Sequence, residues 1–216
     1  MTSDVSRRQV LRIGGLTFAM AAVTAACGGG GSSSSGGGGG GGGSATTTPH
    51  SESDVTFMRT ANSVEAVAIK AYQKVVDDPK AVGVSTSVSD LITLLQKHHK
   101  DHSNLLAKAT TDAGGTPFTD PNPIIIGRLQ PTIDSMKTEP DVLALAYSLE
   151  KALAATYQDY VGEFLDRSLN EQLMSIGGVE AKNVSLLAAD LHFTDKLITD
   201  GAFQKTLGAV QSGTGV

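Results

Sequence analysis

One cysteine, no tryptophan and fewer basic than acidic side chains set the first limits on this 216-residue sequence. Cys27 is the only thiol, and no G-x-S-x-G run is present, so the usual arrangements for nucleophilic catalysis are missing. Lys and Arg number 17 against 22 Asp and Glu. Residues 1–26 hold three of the arginines and one aspartate, which leaves 14 basic against 21 acidic side chains, a net −7. That balance argues against nucleic acid as a partner, and it offers no polybasic surface to hold a membrane. The apolar stretch from Ile13 to Ala26 is fourteen residues, short of the roughly 20 needed to span a bilayer as a helix. No convincing period-two strand is found either.

What stands before that stretch gives it a meaning. Ser6-Arg7-Arg8-Gln9-Val10-Leu11-Arg12 is basic, with paired arginines. A basic start, a short apolar run and small residues before a cleavage point make a signal peptide, not an anchor helix. Arg7 and Arg8 resemble the pair of a twin-arginine signal, with Val10 where Phe is usual and Arg12 where Lys is usual; the general secretory route is the alternative. Thr24-Ala25-Ala26-Cys27 resembles a lipobox, in which the cysteine is lipidated and becomes the first mature residue. An unmodified thiol in a loose tail is the competing explanation for a lone cysteine.

Residues 28–48 are almost wholly Gly, Ser and Thr, with unbroken glycine from Gly36 to Gly43. Such a segment buries no core and behaves as a coil spanning about 25 Å. It is no phosphate loop, since no strand precedes it and no helix start follows directly. The expected organisation is a signal peptide over 1–26 and a lipidated tether over 27–50. A folded domain follows over 51–200, then a tail over 201–216 with a short helix near Ala202 to Val210. The expected location is the outer face of the cell membrane, held by lipid on Cys27.

The domain reads as all-α. Ser51…Asp54, Ser87…Asp90, Thr138…Asp141 and Ser168…Glu171 each place a hydroxyl three residues before an acid, a helix-start pattern. Each leads into apolar residues at helical spacing, predicting helices over 52–77, 88–113, 140–165 and 170–195. Pro79 stops the first and Gly114-Gly115 the second. The connections run short, long, short. The long one, with Pro121, Pro123 and Pro131, has room for a short helix. That is the connectivity of an antiparallel four-helix bundle with one crossover between its second and third helices.

Three glutamates stand where apolar residues belong. Ala61, Ala68 and Tyr72 share a helix face with Glu65; Leu143, Ala146, Leu153 and Tyr157 with Glu150; Leu173, Ile176, Val184 and Leu187 with Glu180. A bare carboxylate in a core is costly, so each must be protonated, paired or bound to metal. The remaining long helix supplies His98, His99 and His102. His99 and His102 lie at i, i+3, and His98 and His102 at i, i+4, so either pair can converge on one point. A histidine cluster alone is more often polar surface; opposite three inward glutamates it reads as a ligand set.

An internal repeat links these residues. Glu65-(x6)-Tyr72-Gln73 recurs as Glu150-(x6)-Tyr157-Gln158, and His99-Lys-Asp-His102 aligns with Glu180-Ala-Lys-Asn183. Two similar hairpins related by a pseudo-two-fold axis would bring these positions to the centre. Tyr72 and Tyr157 read first as core aromatics whose hydroxyls need partners, and alternatively as donors to the carboxylates. Gly177-Gly178, mid-helix before Glu180, fits either close helix approach or ligand access.

On these residues, and on the runs LEKALAATYQ at 149–158 and GGVEAKN at 177–183, the domain resembles ferritin-like proteins of the exported bacterial type. The resemblance spans about residues 51–195. That family sets a Glu on helices 1 and 3 and a Glu-x-x-His on helices 2 and 4 around two metal ions. Residue by residue it implies Glu65 and Glu150 as the single glutamates, Glu180 as the helix-4 glutamate and His102 as the helix-2 histidine. His99 stands where Glu is expected and Asn183 where His is expected. The implied metal set is Glu65, His99, His102, Glu150, Glu180 and Asn183, with His98 a further candidate.

The implied cofactor is iron, mono- or dinuclear, or another divalent metal such as zinc or manganese. A centre filled only by Glu–His hydrogen bonds is the alternative. Two functions follow: a metal-binding membrane-anchored protein with redox activity toward oxygen or peroxide, or a non-catalytic envelope module that has lost the metal. A closed storage shell is disfavoured by the tether.

Overall fold

The computed structural model describes residues 52–191 and 209–216. The signal, tether and tail-helix expectations therefore lie outside the described residues, apart from the last eight.

The described chain forms five helices: α1 Glu52–Asp77, α2 Thr86–Asp112, α3 Pro123–Ser135, α4 Glu139–Tyr160 and α5 Arg167–Asp190. Among the described residues there is no strand. The main pairings are α1 with α2 and α4 with α5, two hairpins joined through α3; α1 also packs on α4, and α2 meets α5. This is the four-helix bundle with one crossover that the loop lengths predict, the crossover carrying a helix of its own.

The helix ends follow their capping chemistry. Thr138 starts α4 with a reciprocal capping box: Asp141 N–H donates to Thr138 Oγ1, and Asp141 Oδ2 accepts from the Thr138 N–H at 3.0 Å. Two starts differ from the sequence expectation. α2 begins at Ser85, not Ser87, with the Ser85 hydroxyl accepting from Val88 N–H at 3.3 Å. The reason is tertiary: Glu139, from the first turn of α4, accepts from the Ser85 N–H at 2.7 Å. A partner 54 residues away replaces the local acid of a capping box. α5 begins after Asp166, whose carboxylate accepts from Ser168 N–H at 2.7 Å. An aspartate caps as well as serine and adds a favourable interaction with the helix dipole. α4 ends at Tyr160 rather than Leu165, and α5 at Asp190 rather than Asp195.

The core is built from the apolar faces of four helices. Phe57, Val64, Val67 and Ala71 of α1 and Ile92, Leu95 and Leu106 of α2 meet Leu149 and Leu153 of α4 and Leu173, Ile176 and Leu187 of α5. Each such side chain contributes about 1.5–3 kcal/mol on burial. Two devices fix the crossover. Lys74 of α1 donates to the carbonyls of Ile133, Asp134 and Met136 at 2.9, 2.8 and 3.2 Å, neutralising the open C-terminal end of α3. At the other end Asn122 accepts from the Ile124 and Ile125 N–H groups and donates to Ser63 Oγ of α1 and to the Thr214 carbonyl. Gly115 permits α1 and the end of α2 to touch: a Cβ there would lie 2.5 Å from Val55 Cγ1.

Residues 209–216 are not helical and run against α1 and α4. Val210 N–H donates to Thr156, Ser212 N–H to the Tyr160 hydroxyl, and Gly213 N–H to Thr60 Oγ1. None of the described helices is long and apolar enough to cross a membrane.

Candidate metal centre

The four long helices carry all six of the expected ligand residues into the middle of the bundle. α1 brings Glu65, α2 brings His99 and His102, α4 brings Glu150, and α5 brings Glu180 and Asn183; all are buried. His102 alone keeps a trace of surface, with 11 % of its side chain exposed, and marks where the centre comes nearest to solvent. Donor atoms of Glu65, His99, His102 and Glu180 all lie within 4.8 Å of one another.

His99 sits between two carboxylates. Its Nδ1 is 2.6 Å from Glu65 Oε2 and its Nε2 is 2.9 Å from Glu150 Oε1. His102 Nδ1 lies 2.9 Å from Glu180 Oε1 and 3.5 Å from Glu65 Oε1. Asn183 donates through Nδ2 to Glu150 Oε2 at 3.1 Å. The tyrosines are core aromatics, and their hydroxyls also reach the glutamates. Tyr72 donates to Glu150 Oε1 at 2.6 Å, and Tyr157 donates to Glu65 Oε1. Each bonds the glutamate of the opposite helix, not its own. Seven residues along a helix is about 10 Å of rise, too far for an own-helix contact, and the pseudo-two-fold pairing of α1 and α4 supplies the exchange.

The electrostatics follow from burial opposed by pairing. Burial alone would raise Glu150, but the His99 charge and hydrogen bond outweigh it and hold the carboxyl at about 2. Glu65 is likewise lowered, its contacts with His102 and His99 overcoming burial. Burial works to lower both histidines, yet Glu150 and Glu65 lift His99 well above its ordinary value, and Glu180 with Glu65 lifts His102 to about 9. Glu180 goes the other way: burial first, then the Glu65 charge, push it well above the usual carboxylate range. Three carboxylates face two imidazoles, and Glu180 is the one left over.

This imbalance is where the fit of a cation can be judged. Among the described residues, both Glu180 oxygens, Asn183 Oδ1 and His102 Nδ1 are buried without a hydrogen-bond partner. His102 Nδ1 and Glu180 Oε1 nonetheless face each other at 2.9 Å as an ion pair. An unpaired buried polar group costs about 1–3 kcal/mol, and Glu180 brings two such oxygens to the cluster of donors. Carboxylate, amide carbonyl and imidazole are donors that suit a divalent ion such as iron, manganese or zinc. The residues present therefore fit a metal.

His98 is not brought to the carboxylates. It is half-buried, its ring stacked on His102 at 6.5 Å between centroids, and burial followed by the Lys182 charge pushes it down. Gly177 is explained by close approach, since a Cβ there would meet Tyr157 Cβ at 3.2 Å; Gly178 faces open space. The reciprocal tyrosine bonds are what reading single helices misses; the repeated Glu-(x6)-Tyr-Gln spacing is the signal that points to them.

Searches of curated proteins and of solved structures returned no match. The family comparison did: residues 51–192 match the ferritin-like domain, a span that includes all four long helices and every residue of the centre, and the chain belongs to that family.

Proposed function

We propose that this protein is an extracytoplasmic ferritin-like lipoprotein, tethered to the membrane through Cys27, whose bundle binds iron or a similar divalent ion. The observation that carries the metal reading is the convergence of donor atoms of Glu65, His99, His102 and Glu180 within 4.8 Å of one another, with both Glu180 oxygens lacking a hydrogen-bond partner. Glu180 and His102 would hold the ion, with Glu65 and Asn183 beside them. A redox-active ion bound there would supply electron transfer toward oxygen or peroxide. The protein's own part is to orient the donors, exclude water and fix the proton positions. Tyr72 and Tyr157 hold Glu150 and Glu65 in place, and the apolar faces of the helices wall the centre off from solvent.

The anchoring reading rests on the sequence: the paired arginines, the short apolar run, the single cysteine and the glycine-rich segment after it. A twin-arginine route exports folded proteins, so the metal would be loaded before export. A Cys27→Ala variant is expected to leave the membrane fraction and to lose incorporation of labelled fatty acid. Retention of both would refute lipid anchoring.

The metal reading is tested by elemental analysis of protein folded in the cytoplasm, beside Glu65→Ala and Glu180→Ala variants. Near-stoichiometric metal, reduced in the variants, is expected. Negligible metal in all three would overturn it. One observation favours a second reading, a bundle that kept the fold and lost the metal: His99 already satisfies Glu65 and Glu150 through its two nitrogens. That reading predicts a melting temperature indifferent to Fe²⁺, Mn²⁺ and Zn²⁺. A rise of several degrees, abolished by His102→Ala, decides against it.

A further inference from the structure

We propose that α1, where it packs against α2 and the loop leading to α3, binds a small oxyanion on the side chains of Arg59 and Asn62. The site uses none of the metal centre's residues and needs no metal.

Arg59 and Asn62 stand three positions apart on α1, so they are neighbours on its surface, with Cβ atoms about 5–6 Å apart. Arg59 is half-buried and Asn62 is wholly buried. Among the described residues, Arg59 Nε and Asn62 Nδ2 are both shut off from solvent with no hydrogen-bond partner. The other end of the Asn62 amide is taken: Oδ1 accepts from Ser103 Oγ of α2 at 2.6 Å. The Arg59 guanidinium lies over the Phe118 ring, 5.9 Å from its centroid, and among the described residues no carboxylate pairs with it.

Both unpartnered groups are donors, and one belongs to a permanent cation. What completes them is therefore an acceptor. A neutral acceptor would answer the hydrogen bonds and leave the Arg59 charge unbalanced; an anion answers both. The guanidinium fork matches two oxygens of one anion, which favours an oxyanion over a monatomic ion. Asn62 sets the size. A partner protein's carboxylate cannot reach a side chain with no exposed surface, so the ligand is a small free species: phosphate, bicarbonate or a short carboxylate.

The surroundings suit an arriving anion. A groove of about 250 Å³ is lined by Ala66, Ile69, Lys70, Gln73, Thr119 and Pro121. Ala66 lies one turn on from Asn62, and Thr119 follows Phe118 in the loop. Lys70 makes this groove positive, and no acid lines it, although the chain as a whole is acidic. Such a patch draws anions toward Arg59. Once bound, the anion ties α1 to α2 through the Asn62–Ser103 pair and to the loop through Arg59 and Phe118.

The test uses the full-length chain, stripped of metal over a chelating resin, with ionic strength held constant by chloride. Inorganic phosphate, bicarbonate and acetate are titrated separately by calorimetry and followed by thermal melts. At least one is expected to bind saturably and to raise the melting temperature by several degrees over chloride alone; which one does so identifies the source. Arg59→Gln and Asn62→Asp are each expected to weaken that binding about tenfold or more, because each removes a hydrogen bond to a charged group. Asn62→Asp keeps the acceptor that Ser103 uses. No saturable binding of any of the three anions, or affinity unchanged in both variants, would overturn the proposal. Should Asn62→Asp not fold, the half-buried Arg59→Gln decides alone, and full retention of binding there would overturn the assignment.

Discussion

Replacing Glu180 with methionine separates what the carboxylate does for the fold from what it does for a bound ion. In the structure Glu180 is buried, both oxygens lack a hydrogen-bond partner, and burial drives its carboxyl well above the usual range. An unsatisfied buried polar group costs about 1–3 kcal/mol. Methionine fills similar volume without that cost, while His102 loses a close contact and keeps Glu65. The net expectation is a gain of about 1–2 kcal/mol. At about 2–4 °C per kcal/mol for a domain of this size, metal-free Glu180→Met should melt about 2–8 °C above the parent. With Mn²⁺ or Zn²⁺ the order should reverse, because only the parent gains from binding. Circular dichroism melts in chelator and in excess metal read both effects. A Glu180→Met protein that melts several degrees lower in chelator would refute the reasoning, since Glu180 would then stabilise the metal-free fold.

Three more outcomes follow from the same structure. Tyr72→Phe and Tyr157→Phe each remove the donor to a buried carboxylate and should cost about 1–3 kcal/mol apiece, read by urea unfolding. His102, lifted from 6.5 to about 9 in the fold, contributes stability that is complete below pH 6.5 and is lost as pH rises through 9. Metal-free melting should therefore fall across that window, and His102→Gln should flatten the fall. Asn122→Ala deletes the α3 cap and the bonds to Ser63 and Thr214, for about 2 kcal/mol. Amide exchange at residues 209–216 and at the start of α3 should quicken while that at Glu65 does not.

The bundle was legible because its signals are local. Pro79 and Gly114 stop helices wherever they stand, and the Thr138 capping box is complete within four residues. The start of α2 was displaced because the group that caps Ser85 is Glu139, from another helix. The inward glutamates were visible as carboxylates inside apolar stripes. Spacing could not choose between His98 and His99, since both lie one turn from His102. The rotation of α2 decides, burying His99 between Glu65 and Glu150 and leaving His98 half-buried beside Lys182. The exchange of tyrosine bonds between α1 and α4 needed two helices side by side to be seen.

Gly213 bonds Thr60 across 153 residues, and Asn122 bonds Thr214 across 92. Contacts this distant in sequence form slowly, because the intervening chain must first be ordered. The hairpins α1–α2 and α4–α5 can assemble from neighbouring sequence, but the polar groups on Thr60, Thr156 and Asn122 wait for residues 210–214. The segment 210–214 is thus expected to dock after the hairpins have paired. Until it docks, the newly made chain displays unfilled hydrogen-bonding positions along α1 and α4, by which a finished molecule differs from an unfinished one.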